Sequence, residues 1–330
     1  MKGSMRDHDE KTAATTAPVR APPDVRRIAE RAAAELEARL ATPLPPGLHL
    51  VATPIGNLGD ITLRALAALA LADRLYCEDT RQSQKLLNRF GISRRLDIYH
   101  EHNAERERPR ILEALGRGQT VAMISDAGTP LISDPGYKLV RAAIEADHAV
   151  YAIPGASAPL AALVASGLPT DTFHFAGFLP AKTGARRERI EALTGTPGTL
   201  ILFESPARLA DALAELAGIM GGRPAVVARE LTKLNEHHHR GTLVELADWA
   251  AGTTIKGEIV IVIGPREDQP ATDAEILLAL EPALAAGSVR DAAASVAARL
   301  GVSRSRVYDL ALAAKGTSSS QPPTTGEDPC

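Results

Sequence analysis

Between residues 47 and 153 one local rhythm recurs: a short apolar run, a turn, then a helix-length stretch. The runs are "LHLVAT", "RLYCE", "QTVAMIS" and "AVYAIP", and helices are expected over about 62–71, 81–90, 105–116 and after Asp134. Alternation of this kind restricts the region to an α/β layer with a mostly parallel sheet and ligand-binding loops at the strand ends. The second half repeats the style without repeating the sequence. Helices are expected at 157–166, 185–194 and 206–217, the first before "TFHFAGF", the second between it and "TLILFES" and the third before "AVVARE", "TLVELA" and "GEIVIVIG", these five segments being read as strands.

The ends differ. Residues 1–24 are polar and proline-spotted, and "VRRIAERAAAELEARL" is an amphipathic helix before the break "ATPLPPG". The division expected is an extension over 1–46, partly disordered, then α/β domains over 47–153 and 154–268. A helical module over 269–316 follows, entered by the polar linker Asp268 to Asp273, with alanine-rich helices to about Ala314 and a disordered tail, 317–330. The 330 residues, 45% apolar, suffice for two cores and exclude disorder throughout. A net charge of -3 gives no global footprint for nucleic acid, so RNA contact has to come from local basic patches. Cys77 and Cys330 are too few for a disulfide framework or a cysteine zinc site, which favours a reducing, cytoplasmic setting. The N-terminus shows no secretory pattern, and apolar runs such as Ala65 to Ala72 are too short to span a bilayer, so no membrane partner is expected.

The stretch "LVATPIGNLGDITLRA" passes from strand through a glycine-punctuated turn into a helix, the setting of a phosphate cradle. Gly56 and Gly59 have only Asn57 and Leu58 between them and no lysine follows, so it is no P-loop; the dinucleotide spacing fails as well. Asn57 or Asp60 is expected to cap the helix that starts near Thr62.

Nine segments in order, "ATPIGNLGDITLRA", "CEDTR", "YHEHN", "SDAGTPLISDPG", "IPGASAPLAAL", "FAGFLPAK", "FESPARL", "ARELTK" and "KGEIVIVI", closely resemble the ribosomal small-subunit methyltransferase I family of the tetrapyrrole methylase superfamily. The resemblance covers about residues 47–316. It implies a two-domain α/β, tetrapyrrole-methylase-like (class III) methyltransferase with a small C-terminal helical module. It implies too that S-adenosylmethionine binds in the cleft between the domains, that the protein is a homodimer, and that it 2'-O-methylates a decoding-centre cytidine of 16S ribosomal RNA, within the small ribosomal subunit.

By that resemblance Ile55 lies against the cofactor, with Gly128, Thr129 and Ile132 of the proline- and glycine-rich loop and Ser157 and Ala158 of the later segment. Phe203 and Glu204 sit near it, and Lys256 and Gly257 beside them. Taken alone, these motifs are equally tight turns between core strands. Transfer to a ribose hydroxyl profits from a base within hydrogen-bond reach. Candidates at strand ends are Glu78, Asp79, His100, Glu101, His102 and Asp126, with Asp79 favoured and His102 kept in the catalytic set. Arg81 reads as a phosphate-holding partner or as a structural turn contact with Asp79.

The basic stretch "AKTGARRERI" offers Lys182, Arg186 and Arg187 to an RNA channel, although charged helical faces are more often merely solvated. In "EHHHR", at 236–240, neighbouring histidines on an extended segment face opposite ways, which argues against a metal site and for surface exposure. "SVRDAAASVAARLGVSRSRVYDLAL" has a helix-turn-helix rhythm, with Ser303 as N-cap and Ala293, Val296, Ala297, Val307 and Leu310 inward. Five basic residues against two acids between Ala286 and Gly316 make Arg304 and Arg306 RNA-contact candidates; simple helix packing is the alternative. Two other functions stay open: a methyltransferase of the same superfamily acting on a tetrapyrrole or another small molecule, and a non-catalytic nucleic-acid-binding protein.

Overall fold

A computed structural model describes residues 24–134, 136–266 and 272–318. The expected disorder of the first residues and of the tail after Ser318, most of the 268–273 linker, and Cys330 lie outside them. The chain divides into two compact units, Met1–Ala158 and Pro159–Cys330.

The first unit runs α1 (Val25–Leu40), β1 (Gly47–Val51), α2 (Leu63–Leu71), β2 (Arg74–Cys77), α3 (Thr80–Arg89), β3 (Leu96–Ile98), α4 (Ala104–Gly116), β4 (Thr120–Met123), α5 (Tyr137–Glu145) and β5 (Val150–Ile153). All strand pairs are parallel, in the order β3-β2-β4-β1-β5. Central strands of such a sheet are apolar on both sides because helices cover both faces, and β4 is buried at every residue. Val51, Leu75, Cys77 and Ala122 pack with Ala65, Leu69, Leu86 and Leu87 of α2 and α3. Leu48, Tyr76, Val121 and Met123 point the other way, against Ile111, Leu115, Leu139 and Ala143 of α4 and α5. Thr62 starts α2, its side chain accepting from the Ala65 N–H at 3.1 Å.

The second unit's elements are α6 (Ala158–Ser166), β6 (Phe173–Phe178), α7 (Thr183–Thr194), β7 (Thr199–Glu204), α8 (Leu209–Met220), β8 (Pro224–Arg229), β9 (His237–Thr242), α9 (Leu243–Ala251) and β10 (Ile259–Ile263). Its sheet, β6-β7-β10-β8-β9, is parallel only between β6 and β7. Alternate residues of β10, Ile259, Ile261 and Ile263, join Ile190, Leu213, Leu216 and Leu246 in one core under α7, α8 and α9.

Two expectations change here. "TLVELA" is not a strand: the Thr242 hydroxyl accepts from the Glu245 N–H at 3.2 Å and the Glu245 carboxylate accepts from the Thr242 N–H at 2.7 Å, a reciprocal cap that opens α9. The strand beside β8 is the histidine run, His237–Thr242.

Helices α10 (Asp273–Ala286), α11 (Val289–Leu300) and α12 (Arg304–Ser318) close the described chain. They share a core of Ile276, Leu280, Ala293, Val296, Ala297, Val307 and Ala311, with Leu310 packed against it. Ser303 accepts from the Arg306 N–H at 3.4 Å. The rhythm read in the sequence is thus a packed helical triple.

Candidate active site

In the first unit β1 leads into α2 on one face of the sheet, and its neighbour β4 leads into α5 on the other. The two connections part above the ends of adjacent parallel strands, which is where open α/β sheets leave a crevice for a ligand. Thr53 and Gly128 join the two loops there in an antiparallel bridge, with N–H to carbonyl distances of 2.9 Å and 3.0 Å. The Thr129 hydroxyl donates to the Ala156 carbonyl at 3.1 Å and ties in the loop after β5.

Glycine is what lets these loops meet. Gly128 has φ +81, and a Cβ there would stand 3.2 Å from Ile55 Cγ2; at Gly155 one would stand 2.9 Å from Ala52 Cβ. Farther along, Leu131 and Ser133 hold positive φ (73 and 67) despite their side chains, strain of the kind that clusters at ligand sites. Ile132, between them, is exposed. Of the cofactor candidates, Ile55, Gly128 and Thr129 come together, and Ser157 follows the carbonyl that Thr129 holds, with Ala158 next. The opening turn is capped otherwise than expected. Asn57 Oδ1 accepts from the Gly59 N–H at 2.9 Å within a short 3-10 turn, while Thr62 caps α2.

At the end of β2, Asp79 caps α3, accepting from the Arg81 N–H at 2.8 Å, and its carboxylate also receives the Arg81 guanidinium, Nη2 to Oδ2 2.8 Å. The Arg81 side chain is 87% exposed, and its hydrogen bonds hold the Asp79 carboxyl below the usual carboxylate range. The Asp79 N–H donates to Asp126 Oδ1 at 3.0 Å, fastening this strand end to the loop after β4. Glu78 differs. It is half-buried, and burial, then the charges of Asp134 and Asp126, push its carboxyl up, against an opposing pull from His100. Burial also raises Asp134, which lies in "SDAGTPLISDPG" but is not among the acid–base candidates expected from the sequence. His102 is exposed, its ring 5.7 Å from that of His100.

In the second unit the register Ile259↔Glu204 sets the end of β7 beside the start of β10, so the candidates Phe203, Glu204, Lys256 and Gly257 are neighbours along that edge. Phe203 packs on Phe175 and Phe178 at 5.0 Å and 5.4 Å. Glu204 is buried, binding Arg208 at 3.0 Å and the Ser205 N–H at 2.7 Å. Gly257, φ +95, faces Glu230, whose carboxyl carbon would lie 2.5 Å from a Cβ. Glu230 in turn accepts from the Glu258 N–H at 2.9 Å and from Lys233 at 2.8 Å, so "ARELTK" and "KGE" form one assembly. Lys256 is exposed, and its carbonyl accepts from Arg229 at 3.2 Å.

The RNA-contact candidates divide. Lys182 and Arg304 are exposed, Arg187 pairs with Glu191 at 3.1 Å, and Arg306 pairs with Asp273 at 2.6 Å. Arg186 does not belong with them. It is 5% exposed, its Nε and Nη2 donating to Glu215 at 2.9 Å and 2.6 Å. The histidine run is not uniformly exposed either: His238 and His239 are half-buried, and His239 stacks on Trp249.

Residues 47–247 match the family described as Tetrapyrrole (Corrin/Porphyrin) Methylases. The chain is 55% identical over 284 residues to the ribosomal RNA small subunit methyltransferase I of Mesorhizobium japonicum, covering 84% of this chain and 95% of that protein. With the protein of the same name from Escherichia coli O157:H7 it shares 43% over 276 residues, 82% of this chain and 96% of the other. Among solved structures, diphthine synthase superposes with a TM-score of 0.53 at 18% identity, over 66% of this chain and 89% of that one, a likeness of fold alone.

Proposed function

Because the chain belongs to the ribosomal RNA small subunit methyltransferase I family, within the tetrapyrrole methylases, we propose that it methylates the ribose 2'-oxygen of a decoding-centre cytidine in 16S ribosomal RNA. S-adenosylmethionine is the cofactor of this family. When bound it supplies a methyl carbon made electrophilic by the attached sulfonium. The observation that carries the reading is the three-loop cradle at the parting of β1 and β4. Gly128 and Gly155 let the loops approach more closely than a Cβ would allow, the Thr53–Gly128 bridge joins two of them over the buried Ile55, and Thr129 fixes the loop that continues into Ser157. In the second unit Phe203, Glu204, Lys256 and Gly257 are proposed as cofactor-facing on the family resemblance.

Glu78 is the better proton acceptor for the 2'-hydroxyl. Asp79 spends its carboxylate on a helix cap and on Arg81, whereas Glu78 is half-buried and its proton affinity is raised toward the range useful to a base at neutral pH. Asp79 then acts by aiming Arg81, whose exposed guanidinium suits an RNA phosphate. Lys182, Arg187, Arg304 and Arg306 are proposed to add phosphate contacts, which position a strand without reading its sequence. A homodimer working in the cytoplasm on the small ribosomal subunit completes the proposal.

The test is transfer of labelled methyl from S-adenosylmethionine to small-subunit RNA, or to immature subunits, from cells lacking the activity. The expected product resists alkali at one phosphodiester, because the 2'-oxygen is blocked. Label on a base, or on a porphyrin precursor and on no RNA, overturns the proposal.

A further inference from the structure

Beside the Lys256 and Gly257 candidates, the second unit carries a cavity of about 370 Å³ with an unusual lining. Arg229 stands at the end of β8, His237 and His239 lie on β9, and Trp249 lies on α9, with residues 253–255 closing one side. Two residues apart on a strand, His237 and His239 share a face. Their ring centroids are 5.6 Å apart with the planes tilted by 37°, and the His239 ring is stacked on that of Trp249 at 3.9 Å with an interplanar angle of 14°. The three rings make a ladder that starts against the core and ends on the exposed His237.

The inner rungs are plain aromatic surfaces. Burial holds His239 below its ordinary pKa, so near neutral pH it meets the indole as an uncharged ring. The cation of the cavity is Arg229, opposite His237 in the β8–β9 register, with one of its five N–H donors on the Lys256 carbonyl. Its charge also adds to the Lys233 hydrogen bond in holding the neighbouring Glu230 carboxylate below its ordinary value. Aromatic rings that end at solvent beside a guanidinium are how single-stranded nucleic acid is held without sequence readout. Such a lining gives the histidine run and the lone tryptophan a shared task, which neither the cofactor nor the proton transfer requires.

We propose that this cavity binds one unpaired nucleotide of the RNA, its base stacked on the outer face of the His237–His239–Trp249 ladder and its phosphate on Arg229. The inference rests on the reading of the protein as an enzyme of RNA, and it adds a contact to the strand besides that at the methylated ribose.

Trp249 is the only tryptophan of the chain, so its emission reports on this cavity without a label. The full-length protein is titrated with a mixed-sequence single-stranded oligoribonucleotide of about eight residues, within the span such sites take. RNA binding is followed in parallel by anisotropy of an end-labelled copy. Saturable quenching of Trp249 is expected. His237→Ala, at an exposed position, should weaken binding roughly tenfold by removing one stacking partner. Arg229→Gln should lower the salt dependence of log K by about 0.7, one phosphate contact on a single strand. RNA that binds with Trp249 emission unchanged overturns the proposal, as does wild-type affinity in both variants. Methyl transfer to ribosomal RNA separates the two ideas. Transfer without quenching sinks the cavity and leaves the enzyme reading standing; quenching without transfer does the reverse.

Discussion

Arg186→Ala distinguishes two descriptions of one side chain. In the sequence it belongs to the basic stretch offered to RNA; in the fold it is 5% exposed and clamps Glu215 with two hydrogen bonds. Removing the guanidinium strands a carboxylate whose side chain is only 23% exposed. Breaking a buried pair from one side costs about 3–5 kcal/mol, and the residual exposure of Glu215 puts this site near the lower end, about 3 kcal/mol. For a region of this size that corresponds to a Tm lowered by roughly 6–12 °C. Arg186 holds the Glu215 carboxyl below its ordinary value. A depressed carboxylate contributes stability above its unfolded pKa, about 4.3, and loses it as pH falls through the folded value. The gap between wild type and variant is therefore full at neutral pH and narrows in acid. Urea unfolding followed by Trp249 fluorescence at pH 7 and near pH 4 measures it. An unchanged midpoint together with weakened RNA binding would show that Arg186 faces RNA and that the ion pair is not what holds it.

Glu78→Gln should lower single-turnover methyl transfer by about 10²- to 10⁴-fold, the usual share of a positioned base, with S-adenosylmethionine affinity unchanged by calorimetry. Because the Glu78 carboxyl is raised and must be ionised to accept a proton, activity falls on acidification from a higher pH than an ordinary glutamate would give, and Glu78→Gln removes that limb of the profile; wild-type turnover in the variant would dismiss Glu78. Asp79→Asn should cost less, because asparagine also caps helices and the partner lost is an exposed arginine. Gly128→Ala puts a side chain at φ +81 against Ile55, a strain of about 1–2 kcal/mol, and should weaken S-adenosylmethionine binding about tenfold while the protein stays folded; calorimetry that finds normal affinity would take Gly128 out of the cradle.

The parallel layer was legible because each strand is an apolar run closed by turn residues and followed by a helix-length stretch. The expected helix over 81–90 is found at 80–89 and that over 105–116 at 104–116. "TLVELA" misled because a short apolar run fits either period. What decides it is Thr242 three residues ahead of Glu245, with Leu243, Leu246 and Ala250 buried at helical spacing. β9 gave no signal, since a polar edge strand of histidines lacks apolar alternation, and β3 has three residues only. The site divides along the same line. Glycine and proline spacing reports the local backbone, so the Gly128 loop could be read from it. Contacts across long separations leave no local trace: Asp79 meets Asp126 over 47 positions and Arg186 meets Glu215 over 29. That is why Arg186 read as a free cation; Asp79 is different, because its carboxylate is held by Arg81 two residues on, the turn contact that the sequence offered as an alternative.

The bridge between Thr53 and Gly128 has a further consequence. Two loops that would otherwise fluctuate separately are joined by a reciprocal pair of backbone bonds, with the Thr53 hydroxyl donating a third, to the Ser125 carbonyl at 3.3 Å. The ordering that a ligand would have to impose on this rim is completed when the chain folds, so less of the binding free energy is consumed in arranging it. The rim also becomes a single mechanical piece. A force or a substitution applied on the β1 side is felt on the β4 side, and from there the Asp79 N–H to Asp126 bond carries the connection to the end of β2.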